Sequence, residues 1–337
     1  MSLKSLELSE DQYLDRARGC LAGLAIGDAL GRPVEGMSNA DIREKYGSIS
    51  DFLLVSPGGS DDTEYAILTA KAILEYGLDI TREQFADYWR KKVVAQTAPF
   101  AGAGFSEMSA INNLRNGLQP PFSGQHAHAW SDGLAMRVAP IAVVSVGDYD
   151  LAQRITKADG EVSHSGEGIW AGQAITAAIV AALGGENPLG IFQHAVDSVP
   201  QDSWIYRDLL VAREILLYPS LSLQDRVDRL LARLAVNEYF YADLAPEAVS
   251  LALAAVLFGN GDFATTLLFA VNLGRDADTI AAMAGAIAGA QCGYSEIPNN
   301  WKTAIVTVKG TCLEFAAGIN PMELADELVA IRLAAHK

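Results

Sequence analysis

The sequence predicts an all-α protein folded as one domain, and three observations carry that prediction. Half of the 337 residues are apolar, with Ala and Leu prominent, so packed helices can be built along the whole length. Apolar residues recur at helical spacing in segment after segment. Strand signals are thin: a run such as 138–146 sits among Ala-rich neighbours, and no hairpin turn pair flanks it. The length admits one large domain or two smaller ones. Because no linker, low-complexity tract or repeat of roughly 20 to 50 residues divides the chain, a single domain over 1–337 is expected.

Each element has its own local reason. From Asp11 to Leu30, Tyr13, Ala17, Leu21, Leu24, Ala25 and Ala29 share one helical face, while Gly19, Gly23 and Gly27 allow a neighbour to approach closely. That helix ends at Gly31-Arg32-Pro33, where Pro cannot continue it. Asp28 and Glu35 flank the break and read, taken singly, as solvent-exposed carboxylates. A short polar helix covers Asp41 to Tyr46. A turn at Pro57-Gly58-Gly59 delivers Ser60, Asp61, Asp62, Thr63 and Glu64 to a helix from Asp62 to Tyr76, which Gly77 closes. Thr81 with Gln84 forms a capping box opening a helix to about Val94.

The stretch from Thr97 to Gly133 is the least regular. It holds Phe100-Ala101-Gly102-Ala103-Gly104-Phe105, a helix around Ser106 to Asn116, and a loop with Pro120, Pro121 and Gly124. Such a segment in a compact domain reads as a binding loop or lid. His126 and His128 lack a third ligand in suitable spacing and read as solvated loop histidines. Met136, Val138, Ile141 and Val143 read as a buried helix. Further helices are expected at 151–158, 168–182, 190–199, 203–217, 223–234, 246–258 and 262–272, with Pro246 at a favourable first-turn position. His164, between two of them, reads equally as a satisfied cap or a ligand contact.

A formal charge of −16 and the lack of a Lys/Arg stripe argue against nucleic acid as a partner. Cys20, Cys292 and Cys312 are widely spaced, form no C-x-x-C pair and fit buried thiols in a reducing compartment. No signal-peptide pattern is expected at 1–15, and the apolar windows 169–183 and 245–258 read as too short or interrupted to span a bilayer. A soluble, cytoplasmic protein without membrane partners is therefore expected.

The informative feature is a second acidic corner, Gly274-Arg275-Asp276-Ala277-Asp278-Thr279, far along the chain from Ser60-Asp61-Asp62 and again opening a helical run, 280–290. A lone corner of this kind is an N-cap with an acidic first turn. Two of them supply Ser60, Asp61, Asp62, Asp276, Asp278 and Thr279, an all-oxygen donor set without thiolate or imidazole. That chemistry suits Mg²⁺, Mn²⁺ or Ca²⁺ and disfavours zinc. Four carboxylates brought together without cations would repel one another and raise one another's pKa values, whereas a binuclear pair would neutralise them. The inference requires the two corners to meet in space.

These residues also carry a resemblance. Gly27-Asp28-Ala29-Leu30-Gly31 with Glu35, Ser60-Asp61-Asp62-Thr63, Gly133-Leu134-Ala135-Met136-Arg137, Ser163-His164 and Asn272 to Ala281 occur in the order seen in ADP-ribosylglycohydrolases. The chain resembles that family from about Arg16 to Gly293, with the C-terminal helices expected to complete the bundle. The resemblance implies a compact orthogonal multi-helix bundle with two divalent cations, Mg²⁺ or Mn²⁺. It implies hydrolysis of the bond between ADP-ribose and an acceptor of the arginine or serine type, on an ADP-ribosylated protein or a small ribosyl substrate. Ser60, Asp61, Asp62, Asp276, Asp278 and Thr279 match its metal ligands, and Glu35 a carboxylate near the scissile bond. Gly102 and Gly104 match a loop around the distal ribose and pyrophosphate, Trp130 an aromatic against the adenosine, and His164 a residue near the same end.

Three residues depart from the family pattern. Ser60 stands where Thr is commoner, Asp132 where Asn usually precedes Gly133, and Arg275 where Gly usually precedes Asp276. Asp132 adds a negative charge beside a segment expected to face a pyrophosphate, and Arg275 is expected to place a cation near ligand or metal carboxylates. The reaction implied passes through an oxocarbenium-like state, with Glu35 or Asp62 as general acid or base. The alternatives are hydrolysis of another small N-ribosyl compound or nucleoside, and a non-catalytic, ADP-ribose-binding or crystallin-like role that intact acidic corners disfavour.

Overall fold

The structure, a computed structural model, describes residues 8–239, 241–305 and 307–335. Its α-helices are α1 (Glu10–Gly31), α2 (Asn39–Tyr46), α3 (Asp61–Tyr76), α4 (Arg82–Trp89), α5 (Phe105–Arg115), α6 (Ala139–Val144), α7 (Tyr149–Ser163) and α8 (Glu167–Gly184), followed by α9 (Pro188–Asp197), α10 (Trp204–Leu217), α11 (Leu223–Leu234), α12 (Ala245–Gly259), α13 (Phe263–Leu273), α14 (Ala277–Cys292), α15 (Asn299–Ala304) and α16 (Pro321–Ala334). Among the described residues extended pairing is limited to two isolated bridges, Ser38 with Gly274 and Ser131 with Leu244.

The starts are chemically marked. Capping boxes open α1 (Ser9 with Gln12), α2 (Ser38 with Asp41), α4 (Thr81 with Gln84) and α11 (Ser222 with Asp225). Pro188, Pro246 and Pro321 lie in the first turns of α9, α12 and α16. Two helices are longer than the sequence suggests. α7 runs on to Ser163 because Asp159, a polar break in the pattern, is fully buried and paired with Arg137. α14 begins at Ala277, so its acidic corner is the helix's own first turn.

One continuous apolar core extends from Tyr13 to Val329. α14 is buried at every position from Ala277 to Ala290, and α12 at every position from Ala245 to Val256. A helix apolar on all sides belongs at the centre of such a bundle. α8 is long and apolar enough to cross a membrane by length and composition, and most of its residues are packed inside the protein. Cys20 and Cys312 are buried and Cys292 partly so, all as free thiols.

The closest contact is between α1 and α14, which run antiparallel. Gly19, Gly23, Gly27 and Gly31, spaced one per turn, face Gly289, Gly285, Ala281 and Ala277. A Cβ added at Gly23 would lie 2.0 Å from the Gly285 carbonyl oxygen, and one at Gly27 2.0 Å from that of Ala281. The helices touch backbone to backbone, so this stripe has no room for side chains. Glu64, at 0% exposure, accepts from the backbone N–H groups of Thr311, Cys312 and Leu313, tying the C-terminal segment to α3.

The seam predicts the response to one methyl group. Gly23→Ala gains about 1 kcal/mol of helix propensity but must push the paired backbones apart, so a net loss of roughly 2–3 kcal/mol is expected in urea unfolding. Unchanged stability would show that the helices do not need this contact.

Candidate functional site

The loop after α1 and the loop before α14 are paired by backbone hydrogen bonds: Gly36 N–H donates to Arg275 O at 2.8 Å and Arg275 N–H to Met37 O at 2.8 Å. The glycine seam brings the C-terminal end of α1 beside the N-terminal end of α14. Asp28, in the last turn of α1, then captures α3. Its carboxylate, read from sequence as solvent-exposed, is 0% exposed and accepts from Ser60 N–H (2.8 Å), Thr63 N–H (3.2 Å) and Thr63 Oγ1 (2.5 Å). The sequence reading is corrected because these donors, dozens of residues downstream, satisfy a carboxylate that burial would otherwise penalise.

Both acidic corners therefore meet. They line a cavity of about 290 Å³ with Glu35, Asp61, Asp62, Asp276, Asp278 and Thr279. Ser60 caps α3 and donates from Oγ to Asp62 Oδ2 at 2.8 Å. Gly102, Gly104, Asp132 and Gly133 line the same cavity. Carboxylate oxygens from Asp28, Asp62 and Asp278 lie within 4.8 Å of one another, and so do those from Glu35, Asp276 and Asp278. Asp62 Oδ1 and Asp278 Oδ1 are buried without a hydrogen-bond partner. An oxygen-only donor set with orphaned oxygens fits a hard divalent cation.

The electrostatics agree. Burial, then the charge of Asp28, pushes Asp62 up to about 8, although Ser60 and Thr279 bond to it. Burial, followed by the neighbouring charges, holds Asp61, Asp276 and Asp278 well above the usual carboxylate range. Asp62 is the first charged neighbour for Asp61 and Asp278, and Asp132 for Asp276. Glu35, at the open edge, is raised by desolvation and by Asp28. The N-terminal ends of α3, α5 and α14 all contribute lining residues, so partial positive charge faces the carboxylates.

Three expected contacts lie elsewhere. Arg275 adopts φ +64°, and its guanidinium bonds Glu247 on α12 at 2.5 and 3.1 Å, outside the cavity lining. The guanidinium's hydrogen bonds go to the fully buried Glu247, which requires a partner, while its charge is still felt by Asp276. Trp130 is half exposed and also lies outside the lining. His164 is buried behind the wall, with Nδ1 at 2.8 Å from Ser163 Oγ and Nε2 at 3.0 Å from Ser131 Oγ. Burial and Arg137 keep this imidazole neutral, well below its ordinary pKa. His126 and His128 are only partly exposed and each has a partner. His126 Nε2 meets Ser163 O at 2.9 Å, and His128 meets Tyr239 Oη at 2.8 Å while stacking on Phe105.

Sequence reasoning missed Glu107 and Asp243, which both line the cavity. Glu107 is a first-turn acid of α5, and its position just after Gly102-x-Gly104 was the available signal. It is 1% exposed and held by Ser106 Oγ (2.6 Å) and Arg137 (3.4 Å). Arg137 is itself fully buried and clamped to Asp159 at 3.1 and 3.2 Å.

A stability prediction follows from Asp62. Its folded pKa lies above its unfolded one, so folding takes up a proton and stability falls as pH rises from the ordinary carboxylate range to about 8. In chelator, Tm is expected to drop by about 3 °C or more between about pH 6.5 and 8, a window above the titration of His164. Asp62→Asn should flatten that slope, and Mg²⁺ or Mn²⁺ should raise Tm most at the alkaline end, where no proton must be displaced. A wild-type Tm independent of pH across this window would contradict it.

Comparison with known proteins agrees with the geometry. Residues 9–334 match the ADP-ribosylglycohydrolase family. An uncharacterised protein of Archaeoglobus fulgidus is 34% identical over 297 residues, covering 85% of this chain and 90% of the relative. ADP-ribosyl-[dinitrogen reductase] glycohydrolase of Rhodospirillum rubrum is 27% identical (85% and 89% covered), and ADP-ribosylhydrolase ARH3 of Homo sapiens 28% identical (86% and 88%). A solved structure described as an ADP-ribosylglycohydrolase-related protein complex superposes with a TM-score of 0.65 at 22% identity, over 96% of this chain and 99% of that one, a likeness of fold. The chain is an enzyme of the ADP-ribosylglycohydrolase family.

Proposed function

We propose that this enzyme hydrolyses the glycosidic bond between ADP-ribose and an acceptor of the arginine or serine type, using two divalent cations, Mg²⁺ or Mn²⁺. The observation that carries the proposal is the sharing of Asp278 between two carboxylate triads, Asp28–Asp62–Asp278 and Glu35–Asp276–Asp278. A binuclear pair, when bound, supplies Lewis-acid polarisation and alignment of ribose hydroxyls and water.

The chain's own groups then divide the work. Ser60 and Thr279 fix the Asp62 carboxylate, which suits it to holding a cation. Glu35 stands at the open edge and retains a proton more readily than an ordinary carboxyl, so it is the group placed to give or take a proton at the scissile bond. Gly102, Gly104, Asp132 and Gly133 form the wall against which the sugar lies, and His164 steadies Ser131 in that wall. Activity as one domain, in the cytoplasm, belongs to the same proposal; the continuous core and the free thiols support it.

A second reading, hydrolysis of a small N-ribosyl compound or nucleoside, is favoured by one observation. Among the described residues eight carboxylates line the cavity, and no Lys, Arg or His does. Incubation with Mg²⁺ or Mn²⁺ and a panel of ADP-ribosyl-arginine, ADP-ribosyl-serine peptide and nucleosides separates the two by the sugar released. Release from none of them would refute both.

Asp62→Ala is expected to lose bound cation in isothermal titration and to lose turnover by more than about 100-fold together. Full cation occupancy with normal turnover in this variant would remove the binuclear assignment.

A further inference from the structure

The first turn of α5 shows what the distal half of the cavity excludes. A helix N-terminus preceded by glycines is a natural seat for a phosphate, and Gly104 is an N-cap without a side-chain capping bond. Here the seat is taken. The Glu107 carboxylate folds back so closely that a Cβ on Gly104 would lie 2.8 Å from Oε2 and one on Gly133 2.2 Å from Oε1. These two glycines make room for an acid of the chain itself.

That acid is only partly neutralised. Arg137 serves both Glu107 and Asp159, one cation for two carboxylates. His164, 4.0 Å from Glu107, is held neutral and adds no charge. Beside Glu107 lie two more acids of the lining, joined through the Asp132 N–H to Asp243 O bond of 3.0 Å. Asp132 is 3% exposed, and its Oδ2 is buried without a partner. Such an oxygen calls for a hydrogen-bond donor from whatever occupies the cavity. A volume of about 290 Å³ also sits at the small end for ligand sites.

We infer that Glu107, with Asp132 and Asp243, determines specificity by rejecting phosphate and accepting an uncharged or cationic, donor-rich ribosyl substrate. The inference rests on the ribosyl-hydrolase reading of the site and selects the second of its two substrate classes. The discriminating ligands are nicotinamide riboside, a phosphate-free cationic N-riboside, and nicotinamide mononucleotide, which adds one 5′-phosphate.

Isothermal titration with Mg²⁺ present is expected to show the riboside bound tighter by about tenfold or more, the scale of one unscreened like-charge contact. Glu107→Gln keeps the shape and an acceptor for Arg137, and should cut that ratio to about threefold or less by strengthening mononucleotide binding. Asp243→Asn, at a partly exposed position, should lower the ratio in the same direction and serves if the buried variant fails to fold. Mononucleotide binding as tight as or tighter than riboside binding would overturn the inference while leaving the hydrolase reading intact. So would a ratio unmoved in the folded variants. Binding of neither ligand, nor of ADP-ribose, by protein that takes up Mg²⁺ would overturn both.

Discussion

The backbone-to-backbone contact of α1 with α14 is the constraint on which the rest of the structure depends. Where two helices meet through glycine and alanine, their separation and register are set by main-chain atoms that cannot change rotamer. That rigidity matters because the contact ends in chemistry. Gly31 lies against Ala277, so the Asp28 carboxylate and the Asp276–Thr279 corner are brought together by the same stripe that excludes side chains. A cluster of acids drawn from both ends of the chain gains its precision from that seam.

The acidic centre is costly in the same measure that it is well placed. Burial and mutual repulsion raise its carboxylates, and Asp62 and Asp278 each leave an oxygen without a partner. Three helix N-termini and the hydroxyls of Ser60 and Thr279 offset some of this. The remainder is stored repulsion that cations or protons relieve, the familiar compromise between stability and function at an active site. Arg137 solves a similar problem just behind the lining, holding the buried Glu107 and Asp159.

Much of this was legible in the sequence because its causes are local. The capping box at Thr81 placed a helix start, and the Gly19-Gly23-Gly27 spacing announced a close neighbour. The two acidic corners were legible as an all-oxygen set of donors, and the two meet in space. What could not be read depends on partners remote in sequence. Asp28 looked solvent-exposed because its donors lie beyond a long loop. Arg275 looked available because Glu247, which claims it, belongs to another helix. The mutual pairing of Glu107, Arg137 and Asp159 could not be read either, since periodicity says which face is apolar but not that three charges will satisfy one another inside.

The Asp28 clamp has a consequence for how this scaffold can vary. Its carboxylate grips the first residues of α3 directly, and Gly36 and Met37 are stitched to Arg275. Both margins of the intervening excursion are thereby anchored, and its outer stretch, with exposed Leu53, Leu54 and Val55, carries none of the cavity lining. Lengthening or recolouring that excursion costs little closure entropy and leaves the acids where they stand. The fold thus keeps a place beside its reaction centre where new surface can be grafted without retuning the chemistry.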